Sequence, residues 1–88
     1  MDANRLFQFQ FRGLAGVDIT DIHEAKTGYY RMESYTYCAN CIEGHSGVVV
    51  CFELSYNRKM IFIINQNGEI YFSMRWDGDW IKNLHKML

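Results

Sequence analysis

Proline is missing from this 88-residue chain, as are low-complexity runs, internal repeats and Ser/Gly-rich linkers. Nothing marks an internal boundary, so residues 1–88 read as a single domain. Long hydrophobic runs are missing too. None exceeds five residues, as in the pentapeptide at 60–64, far short of the ~20 residues of a membrane-spanning helix. Met1 is followed by Asp2 and Ala3 rather than by a basic segment leading into an apolar one, so no secretory signal is expected. Neither sign of charge dominates: nine Lys and Arg face ten Asp and Glu, for a formal net charge of −1. That balance argues against the basic stripe of a generic nucleic-acid binder and the acidic excess of a DNA mimic. Three cysteines cannot all pair within one chain, which makes reduced thiols and a cytoplasmic location the expectation.

What is plentiful is apolar surface. Hydrophobic residues make up 49% of the chain and aromatic residues 16%. A chain of this length buries only about 60–65% of its unfolded surface, yet this composition supplies a core without disulfide staples. Disorder is not expected, on the same ground.

Residues 48–88 carry the strongest structural signal. Asn67-Gly68 lies between two apolar runs, the signature of a type I′ hairpin, in which both central residues need positive φ. A two-residue loop there pairs Ile64 with Tyr71, Ile63 with Phe72 and Ile61 with Met74. A second at Asn57-Arg58 pairs Leu54 with Ile61 and Phe52 with Ile63. Because side chains alternate along a strand, both registers place Val50, Phe52, Leu54, Ile61, Ile63, Phe72, Met74 and Trp76 on one face. The opposite face then mixes Val49, Cys51, Glu53, Ser55, Met60, Phe62, Ile64, Tyr71, Ser73 and Arg75.

Beyond the meander, Trp80, Ile81, Leu84, Met87 and Leu88 follow an i, i+1, i+4, i+7, i+8 stripe after Asp77 or Asp79 as cap. This spacing predicts a C-terminal helix lying on the face of Phe52, Ile63 and Phe72. Upstream, residues 5–12 alternate, with Phe7, Phe9 and Phe11 on one side, and predict a strand ended by Gly13 and Gly16. Residues 18–26 suit either a short helix capped by Thr20 or a loop. The tyrosines at 29, 30, 35 and 37 favour a strand over 28–37, and residues 38–43 could turn helical. The resulting expectation is an α+β fold: an antiparallel sheet of four to five strands, including a three-stranded C-terminal meander, with one C-terminal helix packed on one face.

Chemistry-bearing residues are few. Cys38, Cys41, His45 and Cys51 offer three thiols and an imidazole within a short span, a donor set that suits tetrahedral zinc. Their order resembles the retroviral-type zinc knuckle, which spaces its ligands two, four and four apart where this chain has two, three and five. The alternative is a group of ordinary reduced cysteines near a hairpin, with Cys51 as a small apolar side chain. Cys38 and Cys41 also form a CxxC pair, without the preceding βαβ pattern that a thioredoxin-like site needs. Asp18, Asp21, His23 and Glu24 form an acidic patch that reads as a solvated helix start. No nucleophile elbow, phosphate-cradling glycine loop or HExxH pair is present. Residues 71–80 resemble the terminal strand of the RNase-colicin immunity proteins, which ends in a similar aromatic and Asp-Gly-Asp-Trp run; those proteins are strongly acidic.

The absence of a convergent catalytic set, beside a surplus of Tyr, Phe, Met and Trp, points to a non-enzymatic protein-binding module. An inhibitor or immunity-type protein that occludes a partner protein fits this description. The expected contact residues are Met60, Phe62, Tyr71 and Arg75, followed by Tyr30, Tyr35 and Tyr37. A homodimer through an edge strand or through the mixed face stays open. The alternative is a zinc-stabilised domain held by Cys38, Cys41, His45 and Cys51, touching nucleic acid through Arg58, Lys59 and Arg75.

Overall fold

The computed structural model describes residues 9–88. Strands β1 (Phe11–Leu14), β2 (Gly28–Met32), β3 (Gly47–Ser55), β4 (Arg58–Asn65), β5 (Ile70–Trp76) and β6 (Asp79–Lys86) form one sheet in chain order. β1 runs parallel to β2, and every other neighbouring pair is antiparallel. Helical structure among the described residues is confined to a 3-10 turn at Ile22–Glu24, capped by Asp21. The α+β expectation is thereby overturned in favour of a nearly all-β architecture. Among the described residues no helix is long and apolar enough to cross a membrane.

The expected C-terminal helix is strand β6. Asp77 and Gly78 both have positive φ, 53° and 91°, the geometry of a type I′ turn, and Trp76 pairs directly with Asp79. Asp-Gly is as good a hairpin dipeptide as Asn-Gly, so the cap-like aspartates in fact reverse the chain onto β5. A ten-residue helix has to nucleate alone, whereas a strand gains hydrogen bonds from its neighbour at once. The helix-like spacing arises from two register shifts against β5, between Phe72 and Met74 and between Met74 and Arg75. They return both Trp80 and Leu84 to the core side, where they pack against the buried cluster.

Both expected hairpin registers also slip. Asn65 N–H donates to Glu69 O at 3.0 Å and Gly68, at φ 80°, donates to Asn65 O, so the loop is Gln66-Asn67-Gly68 rather than Asn67-Gly68. The Asn65 carboxamide oxygen accepts from the N–H groups of Asn67 and Glu69 and holds this wider turn closed. Ile63 therefore faces Tyr71 and Phe62 faces Phe72. At the other hairpin, Ser55 pairs with Arg58, and a bulge then brings Glu53 opposite Lys59 and Phe52 opposite Met60. Each slip is odd in residue count, so each inverts β4 relative to one neighbour. The two inversions cancel between β3 and β5, and β4 alone is turned over.

Upstream, β2 ends at Met32, short of the strand expected to reach residue 37, and residues 33–46 form a loop without the helix allowed for at 38–43. The strand expected over 5–12 lies partly outside the described residues; the described part begins pairing at Phe11, with Gly13 inside β1 at a register shift. The segments 15–27 and 33–46 fold over one side of the sheet. Ala15, Ile22, Ala25 and Cys38 from these segments join Tyr30, Met32, Val49, Cys51, Ile61 and Ile63 in the buried cluster. They are tied to each other by Ile22 N–H to Ala39 O and Ala39 N–H to Thr20 O.

Gly78 has open space around an added Cβ, so Gly78→Ala tests the positive-φ requirement without a clash. Its expected cost is about 1 kcal/mol in urea unfolding, with an unchanged far-ultraviolet spectrum. A neutral result would show that the β5–β6 reversal does not depend on this turn.

Candidate functional site: the open sheet face

Burial alternates strictly along the central strands. In β4, Lys59, Ile61, Ile63 and Asn65 are buried while Met60, Phe62 and Ile64 are half-exposed. In β3, Val49, Cys51 and Glu53 are buried while Val50, Phe52 and Leu54 are not. The covered side thus holds a glutamate, a lysine, Asn65, Ser73 and Thr27 alongside its apolar cluster. The open side carries Val50, Phe52, Leu54, Met60, Phe62, Ile64, Phe72, Met74 and Trp76. That is the reverse of the usual sorting of polar groups outward, and it is the central feature of the molecule.

Aromatic rings line this open face across the strands. Phe9 stacks on Phe52 at 5.6 Å and 16°, Phe52 meets Phe62 edge-on at 6.5 Å, and Phe62 lies 5.0 Å from Phe72. Tyr29 contacts Phe9 and Phe11 at the β1–β2 end of the row. At the opposite side Met60, Met74, Trp76 and Ile81 line a shallow depression, with Ile81 55% exposed. Arg58 lies over the Trp76 ring at 4.4 Å and pairs with Asp77 at 2.8 Å, so its charge is already engaged.

The structure divides the expected contact residues. Met60 and Phe62 belong to the open face, adjacent to Phe72 and Trp76. Tyr71 and Arg75 lie on the covered side, Tyr71 packed against the buried cluster and Arg75 donating to Gly78 O and Tyr56 O. Tyr30 is 4% exposed, and its hydroxyl accepts from Lys26 N–H. Tyr35 and Tyr37 are exposed on the loop layer, across the sheet from Met60 and Phe62. The phenylalanines at 52 and 72 and Trp76, assigned from sequence to the core beneath a helix, instead belong to the open face. The Asp77-Gly78 dipeptide was the signal that could have revealed this, because a hairpin there leaves no helix to cover them.

The four expected metal ligands are not drawn together. Cys38 donates to Ile19 O, Cys41 to Met32 Sδ and Cys51 to Ala25 O. Among the described residues no group of three or more His, Cys, Asp and Glu side chains is placed to hold a metal ion. Burial raises all three thiol pKa values, those of Cys41 and Cys51 to about 12, which is opposite to the thiolate stabilisation of a redox-active CxxC. The cations expected on nucleic acid also part company: Arg58 is at the open face, while Lys59 is buried and Arg75 lies on the covered side. The acidic patch is spent locally. Asp18 accepts from Leu14 N–H, Asp21 from His23 N–H and the Asn40 carboxamide, and His23 stacks on Trp80 at 3.6 Å.

A second concave region, lined by His23, Glu24, Lys26, Glu53, Tyr56, Lys59 and Arg75, is polar. Its centre is structural. Lys59 donates to His23 O at 2.9 Å and pairs with Glu53 at 3.7 Å, with Lys26 also 3.8 Å from that carboxylate. Desolvation holds the Lys59 pKa below the ordinary lysine value. These contacts pin the 3-10 turn onto β3 and β4.

Lys59→Met should therefore cost about 3 kcal/mol or more in chemical denaturation, since Glu53 stays buried with only part of its compensation and His23 O loses its donor. The raised thiol pKa values set a second expectation. Above about pH 9 the unfolded chain releases thiol protons that the folded chain retains. Stability should fall as pH rises through this window, the three thiols together outweighing the opposing contribution of Lys59. A melting temperature that climbs from pH 9 to 11 would contradict this.

No family model, no curated protein and no solved structure matches this chain, so its functional reading rests on the open face itself.

Proposed function

We propose that this protein is a non-enzymatic, cytoplasmic protein-binding module and that the open face of its sheet is the binding surface. One observation carries the reading: the side of the sheet that the described residues leave uncovered is more apolar than the side that they bury. A contiguous half-exposed apolar face is costly in water, and such faces mark docking sites. Its composition supports protein as the ligand, since Phe, Trp and Met predominate at the centre of protein interfaces and charged residues are depleted there. Three free thiols support a reducing compartment. Occlusion of a partner, as an inhibitor or immunity-type protein would achieve, needs no catalytic group and is compatible with this surface.

The test is site-directed photocross-linking in the native cell. A photoreactive phenylalanine analogue at position 72 should yield a protein adduct, whereas the same group at Tyr35, 76% exposed on the opposite side, should not. Adducts from position 35 and none from position 72 would move the binding surface to the loop layer.

A further inference from the structure

We infer that the open face is covered by a second copy of this chain, the two sheets packing face to face as a sandwich. This rests on the preceding reading that the face docks protein, and it names the partner. Three features of the surface favour a copy of the chain itself.

The first is area. A six-stranded face with strands about 4.8 Å apart and about seven residues long spans roughly 600 Å². Two copies would remove on the order of 1,200 Å² from water, which reaches the lower bound of stable specific interfaces. The second is composition. Between β3 and β5 the face presents Val50, Phe52, Leu54, Met60, Phe62, Ile64, Phe72, Met74 and Trp76, and its one charged side chain there, Arg58, lies over the Trp76 ring and is paired with Asp77. Such a surface resembles half of a sandwich core, as permanent homodimer interfaces do. The third is the treatment of charge at the rim. Arg31 pairs with Glu33 and Arg58 with Asp77, so these cations bring little net charge against their own equivalents. Lys82 is exposed on the edge strand β6, where water and salt screen it.

The row of rings supplies the symmetry. A two-fold dimer brings the same patch of both subunits together. Because Phe52, Phe62 and Phe72 run across the strands, they can lie along the axis and pack against their own equivalents or nearest neighbours. Offset and edge-on aromatic pairs are favourable there beyond the area that they bury.

Sedimentation equilibrium of the purified full chain at micromolar concentration should give twice the chain mass. Phe62→Glu should weaken self-association at least about thirtyfold, as expected of a central interface residue, while Tyr35→Glu leaves it unchanged. Phe62 is half-exposed and outside the buried cluster, so a folded spectrum is expected for the variant. Should it unfold, the photoreactive group at position 72 of the otherwise unchanged chain takes its place, with an adduct of two copies expected. A wild-type monomer across the concentration range overturns the inference. If that monomer still forms adducts with another protein in the cell, the protein-binding reading survives and only the second copy is lost. A monomer whose position-72 adduct contains nucleic acid, or that yields no adduct, overturns both.

Discussion

A buried ammonium on β4 decides which side of this sheet is inside. Lys59 reaches His23 O at 2.9 Å and shares Glu53 with the more exposed Lys26. An isolated charge in that position would be prohibitively costly, so the pairing and the loop that supplies the carbonyl must be in place together. With the 3-10 turn held there, Ile22 and Ala25 fill the space over Cys51, Ile61 and Ile63. Thr27 completes the closure, its hydroxyl accepting from Glu53 N–H at 2.9 Å. The described residues supply one loop layer, and this arrangement commits it to the side of Lys59.

Everything on the other side follows from that commitment. The apolar residues of β3, β4 and β5 that point away from Lys59 have no layer of the described chain folded over them as the loops cover the core. They are organised all the same, because neighbouring strands carry rings at matching heights and Phe62 and Phe72 are direct cross-strand partners. A flat, ordered apolar surface loses little conformational entropy when it is covered, which favours specific docking over general stickiness. The chemistry of the molecule is correspondingly quiet. Its thiols are buried or half-buried with raised pKa values, its acidic patch caps turns, and its polar cleft is held together by an internal ion pair.

Much of the back half was legible in the residues. Alternation over 48–55, 60–65 and 70–76 marks three strands, and they are there. The parity of β4 was not legible, because loop length sets parity and a turn dipeptide only suggests it. Asn67-Gly68 favours a two-residue loop locally, but the carboxamide of Asn65 caps two backbone donors and stabilises a three-residue loop instead. At the other turn a bulge absorbs the difference. Two odd errors then agreed with one another, which is why internal consistency between the registers was no test of either. The front half was harder still. Its loops are ordered by tertiary contacts, such as His23 on Trp80, between residues far apart in the chain.

The contact residues divide along the same line. Met60 and Phe62 do share the open face, yet Tyr71 and Arg75 were grouped with them through the wrong parity of β4. Composition, charge balance and alternation were properties of the sequence alone, and they sufficed to mark the strands of the meander and an excess of apolar side chains, but they led to an α+β expectation that the fold overturns. Which face those side chains share, and whether residues 79–86 coil or pair, was settled only in three dimensions. The physical reason is that a strand has two equivalent sides until something covers one of them, and here that choice belongs to a loop more than thirty residues away from the lysine that holds it.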